Sequence, residues 1–353
     1  MKKMIFFILL TSFFCFSRVY ASVAEIVMDS DSGRVLYGKN INDKKLIAST
    51  TKILTALVVL NNSSIDEKVT IGDEVLKAYG SSIYIKPGET YSVEDLLYGL
   101  LLRSGNDASL SLAVHTAGSI EGFVVLMNET AQSIGMKNSS FNNPHGLDEE
   151  TENKSTVYDM ALLMKKAMEN ETFRVITSAK KYRFQANEKT YEWYNKNKLL
   201  SDYKYATGGK IGYTKRAKHT FVSSATKENK NLIAVSFIDD QQFITHKNLY
   251  EKYFAIYDRY LLIDKDNLQI PYKSGKHLYT DESFNMLLKK SEVDKIKREV
   301  ILFKSPIKEN GRLFVGNIYV SLDKTVYKAL KIYSDIPKKK ESIIERIMRK
   351  LKW

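Results

Sequence analysis

The 353-residue chain contains a single cysteine, Cys15, inside its first apolar stretch. Removal of that stretch leaves no thiol, so neither a disulfide framework nor a cysteine nucleophile is available outside the cell. The five histidines, at 115, 145, 219, 246 and 277, show no H-E-x-x-H or similar metal-ligand spacing, which predicts no metal and no cofactor. Glycine-rich sequence is confined to Gly208-Gly209-Lys210. It lacks the upstream glycine of a phosphate-cradling loop, and Ile211 stands where such a loop needs Ser or Thr. Internal repeats and low-complexity tracts are also missing. No apolar run reaches the roughly 20 residues that span a bilayer.

What is present suffices for a packed core, because 44% of residues are hydrophobic and 11% aromatic. The length suggests two domains, or one large domain with an appendage. Lys and Arg number 54 against 41 Asp and Glu, a formal charge of +13, which would suit nucleic acid or an anionic membrane surface.

The ends of the chain decide between those partners. Lys2 and Lys3 precede the apolar run Met4 to Phe16, and Val19-Tyr20-Ala21 places small residues at −3 and −1. This reads as a signal peptide, residues 1–21, and an exported protein. Ser12-Phe13-Phe14 before Cys15 and Phe16 after it make a poor lipobox. Near the other end Ile343, Ile344, Ile347, Met348 and Leu351 form one helical stripe, opposite Arg346, Arg349 and Lys350. Residues 336–353 carry seven basic and two acidic residues, half of the +10 that remains once Lys2, Lys3 and Arg18 are gone. An amphipathic helix lying on an anionic membrane surface is predicted there, and nucleic acid is not.

Between the ends, Ala24 to Met28 and Arg34 to Tyr37 alternate around Asp31-Ser32-Gly33 and predict a hairpin. Helical periodicity follows at 50–61, 95–117, 124–134 and 157–168. Thr220 to Ser223 and Leu232 to Phe237 then predict adjacent strands joined at Lys227-Glu228-Asn229-Lys230. Strands at both ends with helices between predict an α/β (α+β) sandwich whose terminal strands share one antiparallel sheet. From about 263 short alternating runs, Glu299 to Phe303, Leu313 to Val315 and Asn317 to Leu322, predict a small all-β module. The expected organisation is therefore 1–21 signal, 22–262 α/β domain, 263–335 β-rich domain and 336–353 anchor helix.

Ser49-Thr50-Thr51-Lys52 opens the first helical run. Residues i and i+3 share a helix face, so the Lys52 amine reaches the Ser49 hydroxyl. A serine hydroxyl becomes a useful nucleophile when a neighbouring base takes its proton. Lysine serves as that base when burial and a second cation depress its pKa. Alone, the spacing better suits a helix cap with an exposed lysine. Ser104-Gly105-Asn106, a polar break between apolar helical segments, and Lys210-Ile211-Gly212-Tyr213-Thr214 follow it in order. S-x-x-K, S-x-N and K-x-G are the three elements of penicillin-binding proteins and serine β-lactamases.

Further segments resemble the low-molecular-mass penicillin-binding proteins, the D-alanyl-D-alanine carboxypeptidases of peptidase family S11. They are Asp29 to Leu36, Leu102 to Ala108, Asn143-Pro144-His145-Gly146-Leu147 and Ser155 to Ala161, all in family order. The resemblance implies Ser49 as acylated nucleophile and Lys52 as general base. Ser104 would deliver the proton to departing D-alanine, and Asn106 would orient the substrate amide. Lys210 would bind the terminal carboxylate, with Lys196 of Asn195-Lys196-Asn197 as a second contact where the family usually carries Arg. Gly212 lets the strand approach the substrate, and the N–H groups of Ser49 and Tyr213 would form the oxyanion hole. The implied partners are a peptidoglycan pentapeptide, β-lactams as covalent inhibitors, and the outer face of the cytoplasmic membrane.

The family's K-T-G reads Lys210-Ile211-Gly212 here, so one hydroxyl that would bond the substrate carboxylate is lost, at a cost of about 1 kcal/mol. Thr214 or Lys196 is the expected compensation. Two other readings stay open at this level. One is a β-lactamase with Asp148, Glu149, Glu150 or Glu152 as deacylating base, although no E-x-x-L-N arrangement is present. The other is a wall-binding protein on a degenerate fold.

Overall fold

The alternation of Ala24–Asp29 (β1) and Val35–Lys39 (β2) around Gly33, whose φ is +76°, folds as the predicted hairpin. Far along the sequence come Ala206–Thr214 (β3), Lys218–Lys227 (β4) and Lys230–Phe237 (β5). Together they form one antiparallel sheet in the order β2-β1-β5-β4-β3. The first strand therefore lies beside the last, with Val27 opposite Ala234, as the sequence predicts. The β4–β5 turn holds Glu228 and Asn229 both at positive φ, the backbone hand that matches strand twist in a tight hairpin.

The computed structural model describes residues 23–268, 270 and 277–335. The expected signal peptide at 1–21 and the expected amphipathic helix at 336–353 lie outside the described residues. Among those described, no single helix is long and apolar enough to cross a membrane.

Side-chain alternation gives the sheet two cores. Ile26, Met28, Val222, Ile233 and Val235 pack with the helices inserted between β2 and β3. These are Lys52–Asn62 (α1), Val93–Tyr98 (α2), Asn106–Ala117 (α3), Ile120–Ile134 (α4), Val157–Ala167 (α5) and Glu171–Ser178 (α6), whereas the short Leu199–Asp202 (α7) places Leu199 in the core on the other face. Val27, Phe221, Leu232 and Ala234 pack instead with the aromatic face of Gln242–Ile256 (α8). Helix α1 is buried from Lys52 through Val59, and apart from Lys52 and Thr55 that stretch is apolar on every side, as suits a helix at the centre of a domain. Side-chain caps start α2, α4, α5 and α6 at Ser92, Ser119, Thr156 and Asn170.

The structure departs from the periodicity in three places. The helical stretch expected over 95–117 parts earlier than the polar break at Ser104-Gly105-Asn106: α2 ends at Tyr98, Gly99–Arg103 forms a wide turn, and Ser104 takes left-handed angles (φ 65°) before α3 begins. Second, Lys181–Ala186 and Lys189–Tyr194 form a hairpin whose Tyr182, Phe184, Tyr191 and Trp193 stack on one another and on Tyr91 and Tyr98. Its signal was aromatic residues at every second position around Asn187-Glu188. Third, the runs at 313–315 and 317–322 are one strand, Arg312–Leu322. Gly316 interrupts the pattern because the neighbouring strand comes so close there that a Cβ would sit 2.1 Å from the Ile301 carbonyl oxygen.

In the C-terminal part, Leu278–Tyr279, Thr325–Asp335, Arg312–Leu322 and Lys297–Glu309 form a four-stranded antiparallel sheet in that order. Asp258–Ile263, which the expected 262/263 boundary cuts, pairs with Phe284–Leu288, and Leu262 and Ile263 pack with Val315, Ile318 and Val320. The opening hairpin holds this part against the first sheet. The Arg34 guanidinium donates to both Glu292 carboxylate oxygens (2.6 and 2.9 Å) and to the Leu287 carbonyl (3.0 Å). Buried Asp29 accepts from the Leu287 N–H at 3.0 Å.

Candidate active site

Ile47 leads directly into a single 3-10 turn, Ala48–Thr51, which runs on into α1. Ala48 sits at φ 47°, a left-handed angle that costs a residue with a Cβ about 1–2 kcal/mol. The turn is held by its own hydroxyls, Thr50 Oγ1 donating to Ile47 O (2.6 Å) and Thr51 Oγ1 to Ala48 O (2.8 Å). Two glycines allow it to be approached. Gly146, at φ +86°, lies so close that an added Cβ would be 1.9 Å from the Ala48 carbonyl oxygen. At Gly212 of the edge strand β3, a Cβ would lie 2.9 Å from the Ser49 nitrogen. Ser49 is thus set between strand and helix, with its N–H against β3 one residue before Tyr213.

Lys52 is wholly buried, and its Nζ lies 3.1 Å from Ser49 Oγ. It also donates to Asn106 Oδ1 and to the His145 carbonyl, both at 2.7 Å. Burial, then the charges of Lys210 and Lys196, hold its pKa well below the usual lysine value, while Asp107 pulls the other way. A neutral amine has two hydrogens and one lone pair. Two partners that only accept take the hydrogens, so the lone pair is turned to the Ser49 hydroxyl. Asn106 is oriented by the same logic, since its Nδ2 donates to the Tyr79 carbonyl at 2.6 Å. Burial and then the Lys52 charge push the His145 imidazole down to about 3, so near pH 7 its ring adds no cation.

The second element also fixes a wall of the cleft. Ser104, 5% exposed, sits at the left-handed corner ahead of α3. The Asn106 N–H donates to Ser81 O at 2.8 Å. Buried Asp107 accepts from the Ser82 hydroxyl and from the N–H groups of Ile83, Tyr84 and Ile85. The 79–85 loop is therefore tied to the residue that follows Asn106.

On β3, Lys210 is 2% exposed and its Nζ donates to the Ile211 carbonyl. Burial and then the Lys196 charge push its pKa down to about 7. Thr177 Oγ1 of α6 accepts from the Gly209 N–H (2.9 Å) and donates to the Gly209 carbonyl (3.3 Å), bracing the strand beside Lys210. Ile211 packs against the α8-side core. Tyr213 is 57% exposed. The Lys196 N–H hangs from the Leu102 carbonyl, and its Nζ lies 3.2 Å from Ser81 Oγ.

The Thr214 hydroxyl donates to Asp148 (2.6 Å) and accepts from the Ala217 N–H (2.9 Å), so its one hydrogen is already spent. Three of the four carboxylates considered for a deacylating base are engaged: Asp148 with Thr214, Glu149 with Tyr79, and Glu152 with Lys154 and Arg216.

Ser49, Lys52, Asn106 and the His145 carbonyl are thus in direct contact, with Lys210 and Lys196 near enough for their charges to act on Lys52. The sequence did not single out His145 O, Tyr79, Ser81, Asp107 or Thr177. Backbone carbonyls leave no residue-type signal, and Asp107 had one only in adjoining Ser104-Gly105-Asn106. Among the described residues, no group of three or more His, Cys, Asp or Glu is placed to hold a metal.

The Lys210 value gives a pH prediction. A carboxylate is held best while Lys210 is charged, so KM for a carboxylate-ended peptide should rise several-fold between about pH 6 and about pH 8. Lys52 acts in the opposite sense, since a base must be neutral and kcat should fall as pH drops through its lowered pKa. Separate kcat and KM profiles measure both.

The D-alanyl-D-alanine carboxypeptidase family of S11 peptidases matches residues 17–241. The D-alanyl-D-alanine carboxypeptidase DacF of Bacillus subtilis is 31% identical over 343 residues, covering 92% of this chain and 87% of that one. DacC of Escherichia coli is 38% identical over 224 residues, covering 60% of this chain and 55% of its own length. The crystal structure of penicillin binding protein 5 from Haemophilus influenzae superposes with a TM-score of 0.73 at 26% identity, covering 88% of this chain and 96% of that one. The chain belongs to the S11 family, the low-molecular-mass penicillin-binding D-alanyl-D-alanine carboxypeptidases.

Proposed function

We propose that the chain removes the terminal D-alanine from peptidoglycan pentapeptides through an acyl-enzyme on Ser49. The observation that carries this is the buried Lys52 amine, 3.1 Å from Ser49 Oγ with its other two partners fixed. Lys52 Nζ takes the hydroxyl proton as Ser49 Oγ bonds the penultimate D-Ala carbonyl carbon. The N–H groups of Ser49 and Tyr213 stabilise the resulting oxyanion. The C–N bond then breaks, and Ser104 relays a proton to the departing D-alanine amine. Asn106 holds Lys52 and orients the substrate amide, while Lys210 and Lys196 receive the terminal carboxylate. Water, deprotonated by Lys52, releases the shortened peptide.

Labelling with a fluorescent penicillin and assay of D-alanine release, wild type beside Ser49→Ala, test this. Both signals should disappear in the variant; their absence from the wild type would contradict the activity.

The family acts on the wall outside the cytoplasm, and we place this chain on the outer face of the cytoplasmic membrane through residues 336–353. The basic amphipathic pattern of that segment supports the assignment. Deleting residues 337–353 should release the protein from membranes into the soluble fraction, and retention would contradict the anchor.

A further inference from the structure

The carboxylate end of the cleft lacks a hydroxyl at Ile211, and the Thr214 hydroxyl is spent on Asp148 and Ala217. A different hydroxyl stands beside the second cation. Lys196 Nζ donates to Ser81 Oγ at 3.2 Å, and the hydrogen of that hydroxyl has no acceptor among the described residues. An O–H whose oxygen already accepts from an ammonium is polarised and becomes a stronger donor to an anion.

The position of this hydroxyl is fixed on two sides. The Ser81 carbonyl accepts the Asn106 N–H at 2.8 Å, and the Lys196 backbone is tied to Leu102. The next four residues are gathered on the Asp107 carboxylate, which keeps Tyr84 at φ 64°. A donor on a wall with so little freedom loses little entropy on binding. Lys196 also lowers the pKa of both Lys52 and Lys210 through its charge, so Ser81 stands beside the same cluster of cations.

We propose that Ser81 is a substrate-binding residue whose hydroxyl, with the Lys196 ammonium, receives the terminal carboxylate in place of the hydroxyl missing at 211. This rests on the carboxypeptidase reading above and names the group that recognises its substrate's end.

The test compares wild type, Ser81→Ala and Ser81→Thr on a D-Ala-D-Ala peptide, and on a penicillin beside its methyl ester, which lacks the carboxylate. Ser81→Ala should raise KM about tenfold with kcat within about twofold. It should also cut the preference for the free penicillin over the ester about tenfold, and Ser81→Thr should restore both. Unchanged KM and preference in Ser81→Ala, with wild type active, would overturn the role of Ser81 alone. Equal losses on acid and ester that Ser81→Thr does not restore would reduce Ser81 to a wall residue and also overturn it. A wild type with no Ser49-dependent label or D-alanine release would overturn the activity, and the proposal with it.

Discussion

Lys52→Ala should slow acylation of Ser49 by at least about 10³-fold, read as the second-order rate of penicillin labelling. The size follows from the position of the amine. Nothing else hydrogen-bonded to Ser49 Oγ among the described residues is a base, and His145 offers Lys52 its backbone carbonyl. Adding Ser49→Ala to Lys52→Ala should cost nothing further, because groups that act as one unit are not additive. The Lys52→Arg variant should stay impaired, since a guanidinium does not give up its proton near neutral pH. Recovery of more than about a tenth of wild-type labelling by Lys52→Arg would show that a proton acceptor is not what position 52 supplies.

Gly146→Ala should be the most damaging methyl that can be added to the molecule near the site. Its Cβ would meet the Ala48 carbonyl oxygen at 1.9 Å and Thr51 Oγ1 at 2.8 Å, and φ is +86°. Neither contact can move away without shifting the turn that carries Ser49. Destabilisation of about 3 kcal/mol or more is expected, together with loss of labelling in whatever remains folded. Gly118→Ala is the control. It shares the left-handed backbone (φ +75°) but has nothing within 4 Å of the added methyl, so about 1 kcal/mol is expected there. Thermal unfolding of the two variants measures the difference, and equal effects would show that backbone angle alone, not the close approach to Ala48, sets the requirement for glycine at 146.

Residues whose chemistry is carried by their own side chains were legible in the sequence. Ser49 and Lys52 stand one helical turn apart, and the hydroxyl–amine contact follows from that spacing. The pairing of β1 with β5 was legible because alternation marked both and the chain between them was helical. What was not legible involved backbone atoms or competition for a side chain. The third partner of Lys52 is a carbonyl, which any residue at 145 would supply. Thr214 looked available because nothing in the sequence places Asp148 beside it. The polar break at Ser104-Gly105-Asn106 was legible, but the wide turn at Gly99–Arg103 ahead of it was hidden under Leu periodicity, and only the left-handed corner at Ser104 reveals how the second motif is aimed.

In the proposed mechanism Ser49 carries the acyl group and Lys52 is its base. Time-resolved intact-protein mass spectrometry with a penicillin, followed by peptide mapping, tests it most directly. One adduct per chain on Ser49 is expected, formed at least about 10³-fold more slowly in Lys52→Ala and never in Ser49→Ala. An adduct mapped to Ser104 or any other residue, or an unchanged rate in Lys52→Ala, would contradict it.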